Sequence, residues 1–388
     1  MNPVAGSASA EQVFSEPEVA AMEAALHVAL RGPRGANPLV GAVVLSPDGT
    51  QLVTGYHRGA GTAHAEADAI AKAKAKGLDL AGTTMVVTLE PCNHIGRTGP
   101  CTRAILEAGV TRVVYAVDDP HDPAAGGAGT LRAAGVEVRS GLAAEEAFTL
   151  NREWFNAVDA RRPFVTLHIA QTLDSRIAAS DGTSQWISSP ESLADNHGLR
   201  RMIDAIVVGT QTVLVDNPRL TAREADGQDS ENQPLRAVMG LRDVPGDAAV
   251  RGTDGKFIHL PTRDPAEALD LLFAEGVRHV MVEGGSHILS AFLSAGLVDE
   301  LIVYLAPTLL GSGTPALADL GIATLTEAQL WNWDDAGGGA VHALGRDLRL
   351  HLRAGPPDGN KPAWTKAHPA HDERIPGKDA GDTTTGGH

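Results

Sequence analysis

Apolar residues recur along this chain with two alternating periods. Val19, Met22, Leu26 and Leu30 fall on one face of a helix, opened by Ser15 and Glu18 at the spacing of a capping box. Leu39–Ser46 and Gln51–His57 are short apolar runs on either side of Pro47-Asp48-Gly49, the composition of a hairpin turn. His64–Lys76 reads as a helix stopped at Gly77, and Thr84–Leu89 as a buried strand. Thr102–Ala108 reads as a helix stopped at Gly109, and Arg112–Val117 as a further strand. A helical stretch over 143–160 ends at Arg161-Arg162-Pro163 and leads into a second series. There Phe164–Ala170, Ala205–Gly209, Arg236–Met239, Lys256–Leu260, His279–Glu283 and Leu301–Ala306 predict strands. Ser189–Met202, Pro265–Glu275 and Ser286–Ala295 predict helices between them. Such alternation predicts an α/β protein with a largely parallel, covered sheet.

Composition narrows the class. A chain of 388 residues suits two domains, expected at 15–160 and 161–355, with disordered ends at 1–14 and 356–388. At 43% hydrophobic residues it is too apolar for a disordered protein, and two cysteines exclude a disulfide framework. The apolar runs fall short of the ~18 residues that span a bilayer. The N-terminal residues have neither the basic start nor the apolar core of a secretory signal. The net charge, 32 − 48 = −16, opposes a nucleic-acid surface. A soluble, cytoplasmic, two-domain protein, with no membrane or nucleic-acid partner, is the expectation.

The two cysteines carry candidate chemistry. His64-Ala65-Glu66 opens one helix, while Cys92, after Pro91, and Cys101 lie between a strand and the next helix. An imidazole and two thiolates suit tetrahedral Zn²⁺ and leave one position for a water, as catalytic sites do. Glu66, two residues beyond His64, can face the same cavity without being a ligand, where a proton shuttle belongs. The order H-x-E…P-C…C is that of zinc-dependent nucleobase deaminases. A closed structural zinc site would need a fourth ligand; His94 could supply it, but Glu66 would then have no role. Eight residues separate the cysteines, more than the two of nucleic-acid and nucleoside deaminases. They bring His94, Arg97 and Thr98 to the mouth of the site, a set suited to a phosphorylated small molecule.

In the second half an apolar strand runs into Glu283-Gly284-Gly285-Ser286 and then a helix. Glycines at such a turn let a helix N-terminus approach an anionic pyrophosphate. The full G-x-G-x-x-G fingerprint is absent, so a simple chain turn remains an alternative.

These segments together resemble one family. ANPLVGAVV (36–44), GYHRGAGTAHAEADAI (55–70) and TLEPCNHIGRTGPC (88–101) are similar to the deaminase half of the bifunctional riboflavin-biosynthesis deaminase/reductase. SQWISSPES (184–192), LRRMIDAIVVGTQTVLVDNPRLTAR (199–223), VEGGSHILSAFL (282–293) and GLVDELIVYLAPTLLG (296–311) resemble its reductase half. The resemblance implies a cytidine-deaminase-like three-layer domain followed by a dihydrofolate-reductase-like α/β domain. It implies His64, Cys92 and Cys101 as zinc ligands, Glu66 as the catalytic proton shuttle and Asn37 as a pyrimidine contact. NADPH would meet Ala170, Trp186, Thr212, Asp216 and the turn formed by Gly285, Ser286, His287, Ile288, Leu289, Ser290 and Ala291. Ser184, Arg200, Leu220, Arg223 and Glu283 would hold the phosphorylated sugar, and the chain would form a homo-oligomer, a dimer or tetramer.

The chain departs from the family at His168, where a lysine is expected, and at Ser175, where a turn glycine is expected. The Asp-Ser step after the strand ending at Met239 is also lost. A second reading therefore stays open: a deaminase of another small nucleotide, its second half serving only dimerisation or binding. An RNA-editing deaminase is opposed by the acidity and by the spacing of the cysteines.

Overall fold

The computed structural model describes residues 13–59, 61–93, 99–120, 126–335 and 339–355. The terminal tails expected to be disordered, and His94, Arg97 and Thr98, lie outside these residues apart from 13–14.

The capping box forms: Ser15 Oγ accepts from Glu18 N at 3.4 Å, and the Glu18 carboxylate accepts from Ser15 N at 2.8 Å. It opens α1 (Glu16–Ala29), followed by β1 (Gly41–Leu45), β2 (Gln51–Tyr56), α2 (Ala65–Ala75) and β3 (Thr84–Leu89). Then come α3 (Cys101–Glu107), β4 (Arg112–Val117), α4 (Gly127–Ala133) and β5 (Glu137–Ser140). The five strands form one sheet in the order β2-β1-β3-β4-β5. β1 is antiparallel to β2 and β3, whereas β3, β4 and β5 run parallel. Side chains of a strand alternate between faces. Val43, Val86 and Val114 accordingly pack under Met22 and Ala25 of α1. Val44, Val87 and Val113 pack on the other face, beneath Ala69, Ile105 and Leu131 of α2, α3 and α4. Burial on both faces explains the continuous apolar runs of the sequence. At Gly55 a Cβ would stand 2.1 Å from Ala65 O, so glycine lets α2 lie directly on β2.

The single helix expected over 143–160 is two, α5 (Ala144–Leu150) and α6 (Arg152–Ala160), because Asn151 has the non-helical angles φ −120°, ψ 20°. Beyond them lie β6 (Phe164–Thr172), β7 (Arg176–Ala178), α7 (Pro190–Met202), β8 (Ala205–Gly209) and α8 (Thr210–Asp216). Next are β9 (Leu235–Met239), β10 (Phe257–Leu260), α9 (Pro265–Ala274), β11 (His279–Val282) and α10 (Ser286–Ser294). The described chain ends with β12 (Glu300–Ala306), β13 (Thr314–Pro315), β14 (Trp331–Trp333), β15 (Val341–Leu344) and β16 (Asp347–Ala354).

The second sheet has the order β10-β9-β8-β11-β6-β12-β16-β14, with β15 also paired to β16. From β10 to β12 the pairings are parallel, as expected. The edge beyond β12 adds strands that the sequence reading did not name: β16, β14 and β15 pair antiparallel there. Val165, Leu167, Val207 and Val282 meet Leu269, Leu272, Leu289 and Phe292 of α9 and α10 in the larger core. Arg152 of α6 reaches across to Glu300 at 3.0 Å and Asp334 at 3.3 Å, tying the connecting helix to this sheet. Among the described residues no helix is long and apolar enough to cross a membrane.

Candidate active sites

His64 is the N-cap of α2, but its side chain makes no capping hydrogen bond and is free for other work. Cys92 follows β3 and Cys101 begins α3. The three meet: His64 Nδ1 lies 3.4 Å from Cys92 Sγ and 3.4 Å from Cys101 Sγ. Tetrahedral zinc with Zn–S about 2.3 Å and Zn–N about 2.0–2.1 Å requires N···S separations of about 3.6 Å. The observed separations are close to that value, and all three donor atoms lie within 4.8 Å of one another, so the donor set suits the ion. Cys101 N–H donates to Cys92 Sγ at 3.4 Å. Hydrogen bonds from Cys101 and His64 hold the Cys92 thiol well below its usual range, as a thiolate ligand needs.

Glu66, in the first turn of α2, is buried beside the Cys101 thiol. Burial pushes its carboxyl up to about 7, and the neighbouring Cys92 thiolate adds to the shift. A carboxyl poised there can both take and give a proton near neutrality.

His57, not foreseen from the sequence, joins Asn37 to this centre. Its ring packs edge-on to that of His64 with centroids 5.2 Å apart. Its Nδ1 lies 3.2 Å from Ala63 O, which can only accept, so Nδ1 carries the proton. Burial lowers the His57 pKa, so the ring is neutral and Nε2 accepts. Asn37 must then donate through Nδ2, at 3.0 Å, which leaves its carbonyl oxygen to accept from a ligand.

In the second half Glu283 stands at the end of β11, where Arg200 of α7 grips it at two points, Nε–Oε1 3.2 Å and Nη2–Oε2 2.7 Å. Burial alone would raise this carboxyl, but the guanidinium outweighs it and holds it down at about 2. His168 of β6 lies alongside, its Nδ1 3.8 Å from Glu283 Oε1 and its ring edge-on to Tyr304 at 4.8 Å. Five buried polar atoms have no partner in this half of the chain's α7, β6 and 220–223 segment: His168 Nε2, Asn196 Oδ1, His197 Nδ1, Thr221 Oγ1 and Arg223 Nε. Buried polar atoms are ordinarily satisfied, so such a cluster marks a cradle that a polar ligand completes. Leu220 sits at its edge with φ +53°, a left-handed conformation uncommon for leucine and concentrated at functional sites.

The residues implied as cofactor contacts surround the β11–α10 turn. Gly285 is the N-cap of α10 and has no side chain to cap it, which leaves the first backbone N–H groups to be satisfied by another partner such as an anion. At Gly284 (φ +129°) a Cβ would lie 3.1 Å from Thr212 Oγ1, which places α8 against this turn. Ser286 Oγ donates to Pro315 O, Ser290 Oγ accepts from Ala318 N at 2.8 Å, and Leu289 is buried in the core. These three side chains are therefore occupied, and this turn offers a ligand its backbone. Trp186 is 67% exposed, a large apolar surface free for a ring to cover. Ala170 is on β6 and Asp216 ends α8. Among the described residues no hydrogen bond ties Ser184 or Trp186 to the Arg200–Glu283 pair. Ser175, in place of the expected glycine, adopts φ +58°, the conformation a glycine there would serve.

Comparisons with known proteins cover both halves of the chain. Residues 15–117 match the cytidine and deoxycytidylate deaminase zinc-binding region, and residues 163–341 match the RibD C-terminal domain. The riboflavin biosynthesis protein RibD of Mycobacterium tuberculosis is 43% identical over 345 residues, covering 89% of this chain and 99% of that protein. RibD of Escherichia coli K12 is 36% identical over 371 residues, covering 85% of this chain and 98% of that protein. Among solved structures, Acinetobacter baumannii RibD superposes with a TM-score of 0.79 at 31% identity, over 87% of this chain and 99% of the other. A Thermotoga maritima diaminohydroxyphosphoribosylaminopyrimidine deaminase/5-amino-6-(5-phosphoribosylamino)uracil reductase gives a TM-score of 0.76 at 30% identity, covering 87% and 99%.

Proposed function

The chain belongs to the RibD family of riboflavin biosynthesis proteins, and on that premise we propose how its residues divide two reactions. It is a bifunctional enzyme of riboflavin biosynthesis, a zinc-binding deaminase followed by a reductase that uses a nicotinamide cofactor. The substrate we assign is 2,5-diamino-6-ribosylamino-4(3H)-pyrimidinone 5′-phosphate, the reading that the Thermotoga maritima relative's name supports.

His64, Cys92 and Cys101 would hold the zinc, which when bound brings the pKa of a water to about 7 and so supplies the nucleophile. Glu66 would take a proton from the attacking water as its oxygen bonds to C2, and would pass a proton to the amino group there so that the C–N bond can break. Ammonia leaves and a carbonyl remains. Asn37 accepts from an N–H of the ring and sets it against Glu66.

In the second half the cofactor, which we take to be NADPH, would supply the hydride that reduces C1′ of the ring-opened ribosylamino group to the ribitylamino product. Ser286 and His287 would offer backbone N–H groups to its phosphates, with Ala170, Trp186, Thr212 and Asp216 lining the rest. Glu283 bonds a sugar hydroxyl, while Arg223 and Arg200 meet the phosphorylated end and Ser184 and Leu220 close the pocket. Among the observations supporting this reading, the two-point Arg200–Glu283 pair at the end of β11, with unpartnered buried atoms of His168 and Asn196 beside it, carries most weight.

Two thiolate ligands need a reducing compartment, which fits the cytoplasm. Exposed Trp333, Val341 and Leu348 at the antiparallel edge fit a homo-oligomer, a dimer or tetramer. One assay tests the two activities together. The substrate is incubated with the protein, with and without NADPH, and products are weighed. Ammonia release and exchange of amino for oxo should occur without NADPH, and gain of two hydrogens should require it. Deamination with no NADPH oxidation would reduce the second half to a binding module.

A further inference from the structure

The segment that carries Asn37 is held from outside its own domain core. Asn151, between α5 and α6, is buried, and its carboxamide closes on both backbone groups of one residue. Leu39 N–H donates to Asn151 Oδ1 at 2.7 Å, and Asn151 Nδ2 donates to Leu39 O at 2.8 Å. An asparagine at a helix N-cap ordinarily accepts from the first turn of its own helix. Asn151 makes no such bond. Both ends of its carboxamide are turned on a loop 112 residues away in sequence.

One turn later, Trp154 Nε1–H donates to Ala36 O at 3.0 Å. Arg34 completes the contact, 3.6 Å from Glu153 and 3.5 Å from Leu150 O. Ala36 and Leu39 are thus fixed from the same side, and the two residues between them are Asn37 and Pro38. Pro38 has a locked φ and restricts the residue before it. With both ends clamped and the centre stiffened, the Asn37 side chain has little freedom beyond its bond to His57.

We propose that Asn151 and Trp154 are positioning residues for the deamination, holding Ala36–Leu39 so that the Asn37 carboxamide meets the pyrimidine. This rests on the reading of Asn37 as a pyrimidine contact. The same first turn sends Arg152 the other way, to Glu300 and Asp334 of the second sheet. The connecting helix therefore braces the first active site against the second domain.

The test uses the full-length, zinc-loaded protein and the diamino-pyrimidinone ribosylamine phosphate. Asn151→Ala removes both bonds to Leu39, and Trp154→Phe removes the indole N–H with the pyrrole part of the ring while keeping an aromatic ring in the core. Each should lower kcat/KM for ammonia release by on the order of 10- to 100-fold, as expected when a reacting group is misplaced by about 1 Å. Zinc content and NADPH-dependent reduction of supplied deaminated substrate should stay as in the parent, which excludes general misfolding. In an Asn37→Ala background neither change should reduce deamination further. Effects that add fully to that of Asn37→Ala, or a Trp154→Phe protein with parental kcat/KM, would overturn the inference. Asn37→Ala with undiminished deamination would instead bring down the reading of Asn37 itself, and the positioning role with it.

Discussion

The imidazole of His168 and the carboxylate of Glu283 lie 3.8 Å apart, and only the carboxylate is charged. Burial lowers the His168 pKa; Glu283 and Asp195 work against that shift, whereas Arg200 and Arg349 reinforce it. Tyr304 covers the ring edge-on. A neutral ring beside an anion keeps its proton on Nδ1, toward Glu283. The unpartnered Nε2 then presents a lone pair to the cradle, where the family resemblance leads one to expect a lysine ammonium.

His168 should therefore accept a hydrogen bond from a hydroxyl of the sugar. His168→Ala is expected to lower kcat/KM for the reduction by roughly 10- to 100-fold, the scale of one buried hydrogen bond, and to leave ammonia release unchanged. The sign of the pH effect follows from the lowered pKa. As pH falls through it the ring gains a proton, Nε2 stops accepting and reduction slows; above it the rate is insensitive to this group. NADPH oxidation profiles of parent and variant check both points. An acid limb that survives in the alanine variant would have to belong to another group.

Replacing Glu66 with Gln keeps the shape of the side chain and removes its proton chemistry. Zinc should remain bound, since Glu66 is not among the three clustered donors. Ammonia release should fall by about 10²–10⁴-fold, the usual contribution of a positioned acid–base group. Metal content and an ammonia assay on the same sample separate the two effects. Near-parental release would remove Glu66 from the reaction.

Cys101→Ser leaves only His64 and Cys92 of the three donors. Zinc content and deamination should be lost together, while reduction of supplied deaminated substrate continues. Chelation of the parent protein should give the same pattern, with one difference: added zinc restores the parent and not the variant. Deamination persisting in metal-free parent protein would contradict the zinc assignment.

The cluster of His64, Cys92 and Cys101 was legible in the sequence because its signals are local. His64 and Glu66 are two residues apart, the thiolates flank one loop, and no other residue types serve as well. β3 and β4 were equally plain, since burial on both faces makes their apolar runs continuous. What escaped depends on contacts between distant segments. Nothing around Asn151 points to Leu39, and nothing around His57 points to Asn37. The helix α8 (TQTVLVD) is rich in β-branched residues that disfavour helices, and packing overrides them. The strand β16 (DLRLHLRA) alternates at period 2 and could have been read; it lies beyond the last segment that carries candidate chemistry.

Arg152 offers a test of how firmly the halves are joined. It pairs with Glu300 and Asp334, both buried; Asp334 also meets Arg353, and Glu300 accepts from Thr166 at 2.7 Å and contacts His351 at 2.6 Å. Arg152→Ala would leave two buried carboxylates short of a guanidinium, which costs about 3 kcal/mol or more. The urea midpoint for loss of the second domain's structure should fall accordingly, with zinc binding retained in native buffer. Acid should weaken the same network in the parent protein. Burial would raise the Glu300 carboxyl, but its hydrogen bond with His351 outweighs that and holds it at about 2. Its ordinary value is about 4.3. A group depressed in this way adds stability that is fully present above the unfolded pKa and is lost as pH falls toward 2. Urea midpoints measured at neutrality and in acid should drop more steeply for the parent than for Glu300→Gln. Equal slopes would mean that Glu300 is not among the groups setting the acid limit of this fold.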